Sequence, residues 1–82
     1  MKQPRDLSGR EFSRLLSKHF GYEVVRQVGS HITMTTHFMG EEHHLTIPLH
    51  DPLKPGMLSA LLSEVATYMK TDKKRLMEKL FG

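Results

Sequence analysis

One histidine and one arginine stand within a six-residue segment, Arg26-Gln27-Val28-Gly29-Ser30-His31, and these are the side chains able to move a proton and to hold a phosphate near neutral pH. An imidazole with an ordinary pKa of about 6.5 both takes and gives protons at pH 7. A guanidinium is a permanent, planar cation that matches phosphate oxygens. Gly-Ser reads as a tight turn, so His31 is expected at a fixed place at the start of a strand. A second histidine, His50, follows Thr46-Ile47-Pro48-Leu49, and Lys54 lies shortly after it. A turn followed by a histidine is also what a plain surface looks like, so the surrounding elements decide what the motif means.

The remaining histidines raise the question of a metal. His37, His43, His44 and His50 are nitrogen donors of the kind zinc takes. Adjacent strand residues point to opposite faces, however, so at most one of His43 and His44 can join His37. Neither a metal site nor a cofactor is expected.

The elements that would position His31 can be read in order. Ser8-Gly9-Arg10-Glu11 is a capping box, and Leu7 and Phe12 flank it at the spacing of a hydrophobic staple. Phe12, Leu15, Leu16 and His19 or Phe20 recur on one face, and Gly21 predicts the helix end. Three strand-like runs follow at 22–27, 30–38 and 42–49, with turns at Val28-Gly29 and around Met39-Gly40; loops this short imply an antiparallel sheet. In the second run Ile32, Met34, Thr36 and Phe38 share one face, and His31, Thr33, Thr35 and His37 the other. A tip at Met39-Gly40 sets Met34 opposite Leu45, Ile32 opposite Ile47, Thr33 opposite Thr46, and Thr35 opposite His44, with His31 near Pro48 and His50. A Val28-Gly29 turn sets Arg26 across from His31, at the expense of pointing Glu23 toward the core unless a bulge intervenes.

Pro48 closes the third strand, and Pro55 suits the first position of a second helix whose face is Leu58, Leu61, Leu62, Val65 and Met69. Thr71 is the expected cap of a short third helix, with Leu76, Met77, Leu80 and Phe81 on its apolar side. Lys73, Lys74, Arg75 and Lys79 occupy its polar side and read as a solvated face. The fold class is therefore α+β: one helix, a three-stranded antiparallel sheet and two further helices, the helices on one sheet face and the other face open.

Eighty-two residues fit one small domain over 1–82. The absence of cysteine rules out disulfides and thiolate metal sites, and a reducing cytoplasm is the natural compartment. The polar start, Met1-Lys2-Gln3-Pro4-Arg5-Asp6, argues against a signal peptide, and no apolar run is long enough to span a membrane. With 12 Lys and Arg against 9 Asp and Glu, the formal charge of +3 favours a polyanionic partner such as nucleic acid.

Several blocks taken together carry a family resemblance. Leu-Ser-Gly-Arg-Glu at 7–11, Gly21-Tyr22-Glu23-Val24-Val25-Arg26-Gln27, Gly29-Ser30-His31, Thr46-Ile47-Pro48, His50-Asp51-Pro52-Leu53-Lys54 and Gly56 with Leu58 resemble, in order and separation, the HicA (YcfA-like) family of small toxins. The resemblance implies a fold like that of double-stranded-RNA-binding domains, with a short extra C-terminal helix. It implies a metal-independent endoribonuclease acting on mRNA, an mRNA interferase, whose catalytic histidine corresponds to His31 and whose partner is an antitoxin of the HicB family. Arg26, Gly29, Ser30, His50 and Lys54 are the expected supports of RNA and its charge, with His50 contributing less than His31. A non-catalytic RNA-binding module of the same fold is the alternative. One departure stands out: the family usually has Thr where this chain has Met57, which removes a hydroxyl from the start of the second helix.

Overall fold

The computed structural model describes residues 6–82, and in it the first helix, α1 (Gly9–Phe20), starts at the capping box. Ser8 Oγ accepts from the Glu11 N–H at 3.0 Å, and Glu11 Oε1 accepts from the Ser8 N–H at 3.1 Å. The bond from the Ser8 backbone, above all, holds the Glu11 carboxyl below its ordinary range. Leu7 and Phe12 are both buried, as a hydrophobic staple requires. Gly21 ends the helix in the left-handed conformation. Of the polar opening segment read above, residues 1–5 lie outside the described residues.

Strands β1 (Glu23–Val28), β2 (His31–Thr36) and β3 (His43–Pro48) form one antiparallel sheet in the order β1-β2-β3. Helices α2 (Pro55–Met69) and α3 (Lys73–Phe81) complete the chain. This is the expected α+β arrangement. Between β2 and β3 every expected pair is present: Ile32 with Ile47, Thr33 with Thr46, Met34 with Leu45, Thr35 with His44, and His31 with Pro48.

The register of β1 differs from the expected one. The turn is Gly29-Ser30 rather than Val28-Gly29, so Val28 faces His31 and Arg26 faces Thr33. Gly29 has φ 59, and a two-residue hairpin that places a left-handed residue first selects glycine there. A bulge at Val25, between the Val24–Met34 and Arg26–Thr33 pairs, shifts the pairing by one residue along the strand. That bulge returns Glu23 to the open face, opposite Thr35, and removes the conflict of a carboxylate aimed at the core.

Two smaller corrections have equally local causes. Phe38 lies beyond the end of β2 and is 53 % exposed. The core face of that strand ends instead at Thr36, whose buried hydroxyl donates to the Phe20 carbonyl at 2.7 Å and accepts from the Phe38 N–H. The cap of α3 is Asp72, not Thr71: its carboxylate accepts from the Arg75 N–H at 2.7 Å.

The core is one cluster in which Phe12, Leu16, Tyr22, Ile32, Met34, Leu45, Ile47, Leu58, Leu62, Val65, Leu76 and Leu80 are buried. α1, α2 and α3 supply one side of it, β2 and β3 the other. All six residues of β1 are exposed. Among the described residues no helix is long and apolar enough to cross a membrane.

Candidate active site at the turn end of the sheet

His31 is the first residue of β2, and its exposed side chain alternates with buried Ile32 and Met34 on the open face. Two hydrogen bonds to the turn before it fix it there. The Ser30 carbonyl accepts from the Leu49 N–H at 2.6 Å, and the Gly29 carbonyl accepts from Gln27 Nε2 at 3.1 Å, so the turn is held from both flanks. Gly29 and Ser30 thus hold the start of β2 through their carbonyls.

The strand carrying Pro48 runs on into the loop carrying His50, and that loop is tied to the start of α1. The Gly9 N–H donates to the His50 carbonyl at 2.9 Å, and the Leu53 N–H donates to the Leu7 carbonyl at 2.8 Å. Sequence reasoning passed over Gly9, yet a Cβ there would lie 2.1 Å from the Pro48 oxygen. Only glycine lets the helix start approach so closely. A glycine immediately after an N-cap, where Ala or Pro serves the helix better, is the one signal that could have found it.

These ties bring the two histidines together. The rings of His31 and His50 lie 6.3 Å apart between centroids and are inclined at 72°, both exposed at the turn end of the sheet. Arg26 shares the open face and is a diagonal neighbour of His31, about 7–8 Å away by the geometry of such pairs. Lys54 is exposed on the same loop as His50, at the N-cap of α2. The Lys54 side chain makes no cap bond to that helix, and Met57, at its third position and 41 % exposed, offers no hydroxyl to its first turn. Two imidazoles and a guanidinium at one sheet end, with an ammonium further along the His50 loop, can exchange protons with a phosphodiester and offset its charge.

The other histidines are arranged otherwise. His44 Nε2 lies 2.8 Å and His37 Nε2 3.5 Å from separate oxygens of Glu42. Among the described residues, no group of three or more His, Asp and Glu side chains is placed to hold a metal ion. His43 points the opposite way from His44, as neighbours in a strand must. Its Nδ1 lies 2.7 Å from the Tyr22 hydroxyl, and its ring stacks on Tyr68 at 4.7 Å. Tyr68 in turn donates to the Glu41 carbonyl at 2.6 Å and accepts from the Met39 N–H, tying the β2–β3 loop to α2.

Burial raises the Tyr22 pKa well above the ordinary tyrosine range, so its hydroxyl keeps its proton and is the donor. Burial also lowers the His43 pKa, against the attraction of Glu64, which suits a neutral ring accepting at Nδ1. A folded-state value below the unfolded one of about 6.5 means that the unfolded chain binds the proton first on acidification. His43 therefore contributes stability that is present above about pH 6.5 and is lost as the pH falls through its lowered folded value. The expected result is a denaturant midpoint that falls more steeply between pH 7 and 5 in the native protein than in His43→Gln. Parallel pH dependences in the two proteins would rule out the half-buried, neutral His43.

Neither a curated protein nor a solved structure matches the chain. A model of one protein family, described as HicA toxin of bacterial toxin-antitoxin, matches residues 9–66. That span holds α1, the whole sheet, Arg26, His31, His50, Lys54 and most of α2, and it leaves α3 outside. With most of its length and the entire turn-end site inside the match, the chain belongs to the HicA family of bacterial toxins from toxin–antitoxin systems.

Proposed function

We propose that this toxin acts as a metal-independent endoribonuclease on mRNA, with His31 as the residue that exchanges protons with the substrate. The observation that carries the reading is the fixed, exposed imidazole of His31 on the open sheet face, with Arg26 one rung away and His50 beside it. His31 takes the proton from a ribose 2′-hydroxyl, the 2′-oxygen attacks the adjacent phosphorus, and the bond to the 5′-oxygen of the next nucleotide breaks. Arg26 and Lys54 offset the charge that builds on the phosphate oxygens. Proton transfer of this kind contributes about 10²- to 10⁴-fold, so the enzyme is expected to be slow.

The antitoxin implied by family membership is, on this reading, of the HicB family and works by covering His31. The turn end of the open face is where a basic surface meets its substrate, and an acidic partner seated there blocks RNA and associates quickly. Contacts to Arg26 or Lys54 and a buried area of at least about 1,000 Å² are expected of a stable complex.

The test is incubation of purified protein with end-labelled mRNA in excess chelator. Cleavage that leaves a 2′,3′-cyclic phosphate and a 5′-hydroxyl is the expected outcome, and the antitoxin should stop it while protecting residues 26–50 from hydrogen exchange. Activity lost with the chelator and restored by a divalent metal, or products ending in a 3′-hydroxyl, would overturn the mechanism.

A further inference from the structure

We infer that His50 is a second catalytic residue, the general acid that protonates the departing 5′-oxygen while His31 acts as base. The inference rests on the ribonuclease reading and extends it from one histidine to two. A cleavage by the 2′-hydroxyl has two proton transfers on opposite sides of one phosphorus: a proton leaves O2′ as the O2′–P bond forms, and a proton reaches O5′ as the P–O5′ bond breaks. A single imidazole placed on one side of the phosphate serves one of these well. Two imidazoles a phosphate's width apart serve both, and the 6.3 Å between the His31 and His50 rings is such a separation. At the end of the step His31 carries the proton taken from O2′ and His50 has lost one to O5′; the products are a 2′,3′-cyclic phosphate and a 5′-hydroxyl. Exchange with water restores both rings.

The structure also shows why the pair is held rather than accidental. The two residues sit on different segments, the β1–β2 turn and the loop after β3, and the Leu49 N–H to Ser30 carbonyl bond joins those segments at the residues immediately before each histidine. The Gly9 N–H then fixes the His50 carbonyl from a third direction. His50 is thus positioned through its main chain, and its ring is left exposed. A side chain with no packing duty, on a backbone anchored from two sides and turned toward the catalytic ring, is an arrangement that chemistry explains and stability does not. The division of roles follows from the anchoring. His31 is paired across the sheet to Val28 and Pro48, where the nucleotide under attack must be held still. His50 lies on the loop beyond the sheet, and the acid is assigned to it because the base is assigned to the strand-held His31. Among the described residues, charged groups on the elements that hold the pair include Arg26 on β1, Asp51 and Lys54 on the loop, and Asp6 and Arg10 near the α1 start that bonds the His50 carbonyl.

The test compares two oligoribonucleotides, one with an ordinary scissile phosphate and one whose bridging 5′-oxygen is replaced by sulfur. A thiolate leaves without being protonated, so a missing general acid no longer matters. His50→Ala and His50→Gln are expected to lower cleavage of the ordinary RNA by about 100-fold or more and that of the 5′-thio RNA by less than about threefold. His31→Ala should lower both. Melting temperatures of the His50 variants should match the native one, because the Gly9 contact goes to the His50 main chain. Cleavage of ordinary RNA at the native rate by either His50 variant, or an equal loss on both substrates, would overturn the role of His50 as acid while leaving His31 and the ribonuclease reading in place. Native protein that cleaves neither substrate would overturn the ribonuclease reading, and the pair with it.

Discussion

His31→Ala is expected to slow RNA cleavage by about 10²- to 10⁴-fold and to abolish growth arrest on expression, with the fold unchanged. The size follows from what one positioned acid or base contributes. The selectivity follows from location: His31 is exposed, lies outside the core cluster, and leaves the Gly29-Ser30 turn and the Leu49 to Ser30 bond intact when its ring is removed. Substitutions at such surface positions change stability by about 0.5 kcal/mol or less, so the melting temperature should barely move. Cleavage by initial rates and melting by circular dichroism make the check. An unchanged rate in a variant that melts normally would remove His31 from the mechanism.

The largest stability effect is expected at Gly9, a residue remote from the chemistry in function though not in space. An alanine Cβ would lie 2.1 Å from the Pro48 oxygen and 3.0 Å from the Leu49 Cα. Both are backbone atoms at the point where β3 meets the loop, so neither can swing aside as a side chain would. Overpacking costs about 1–3 kcal/mol, and a clash with main chain belongs at the upper end. At about 4–8 °C per kcal/mol for a domain of this size, the melting temperature of Gly9→Ala should fall by roughly 10–20 °C. Activity measured well below the new midpoint should fall as well, because relieving the clash moves the His50 loop away from α1 and breaks the Gly9 to His50 bond. A variant that melts within a few degrees of the native protein would mean that α1 and the end of β3 are free to separate, and that the His50 loop is not held from that side.

The architecture was legible where one signal had no rival. Capping chemistry marked the start of α1, and apolar alternation in two runs pinned β2 to β3, because a slip by one residue would have turned Ile32, Met34, Leu45 and Ile47 to water. β1 lacked that discipline. With none of its residues buried, either register was equally apolar, and the choice fell to the demand of the turn for a left-handed glycine. For the same reason Arg26 was placed on the correct face but one rung too near His31. The approach of His50 to His31 was expected from the hairpin register, whereas the anchor at Gly9 was not: close contact between two main chains leaves no trace in side-chain periodicity. The Tyr22, His43 and Tyr68 network was hidden as well, because it joins strand to helix across positions 21 and 25 residues apart, where spacing carries no information.

The uncovered position of β1 also sets how firmly each part of the site is held over time. That strand is attached through one ladder to β2 and none of its six residues is buried, with Val24, Val25 and Val28 52 %, 58 % and 60 % exposed. Segments with few buried contacts open locally at a fraction of the global unfolding free energy, so the amides of β1 should exchange with solvent sooner than those of β3. His31 and His50 are anchored to β2, to the end of β3 and to α1, while Arg26 rides on the edge strand that has no buried residue. On the proposed mechanism the imidazoles form the firmer jaw of the site and the guanidinium the yielding one, which would follow a phosphate as it enters and release it after the cut.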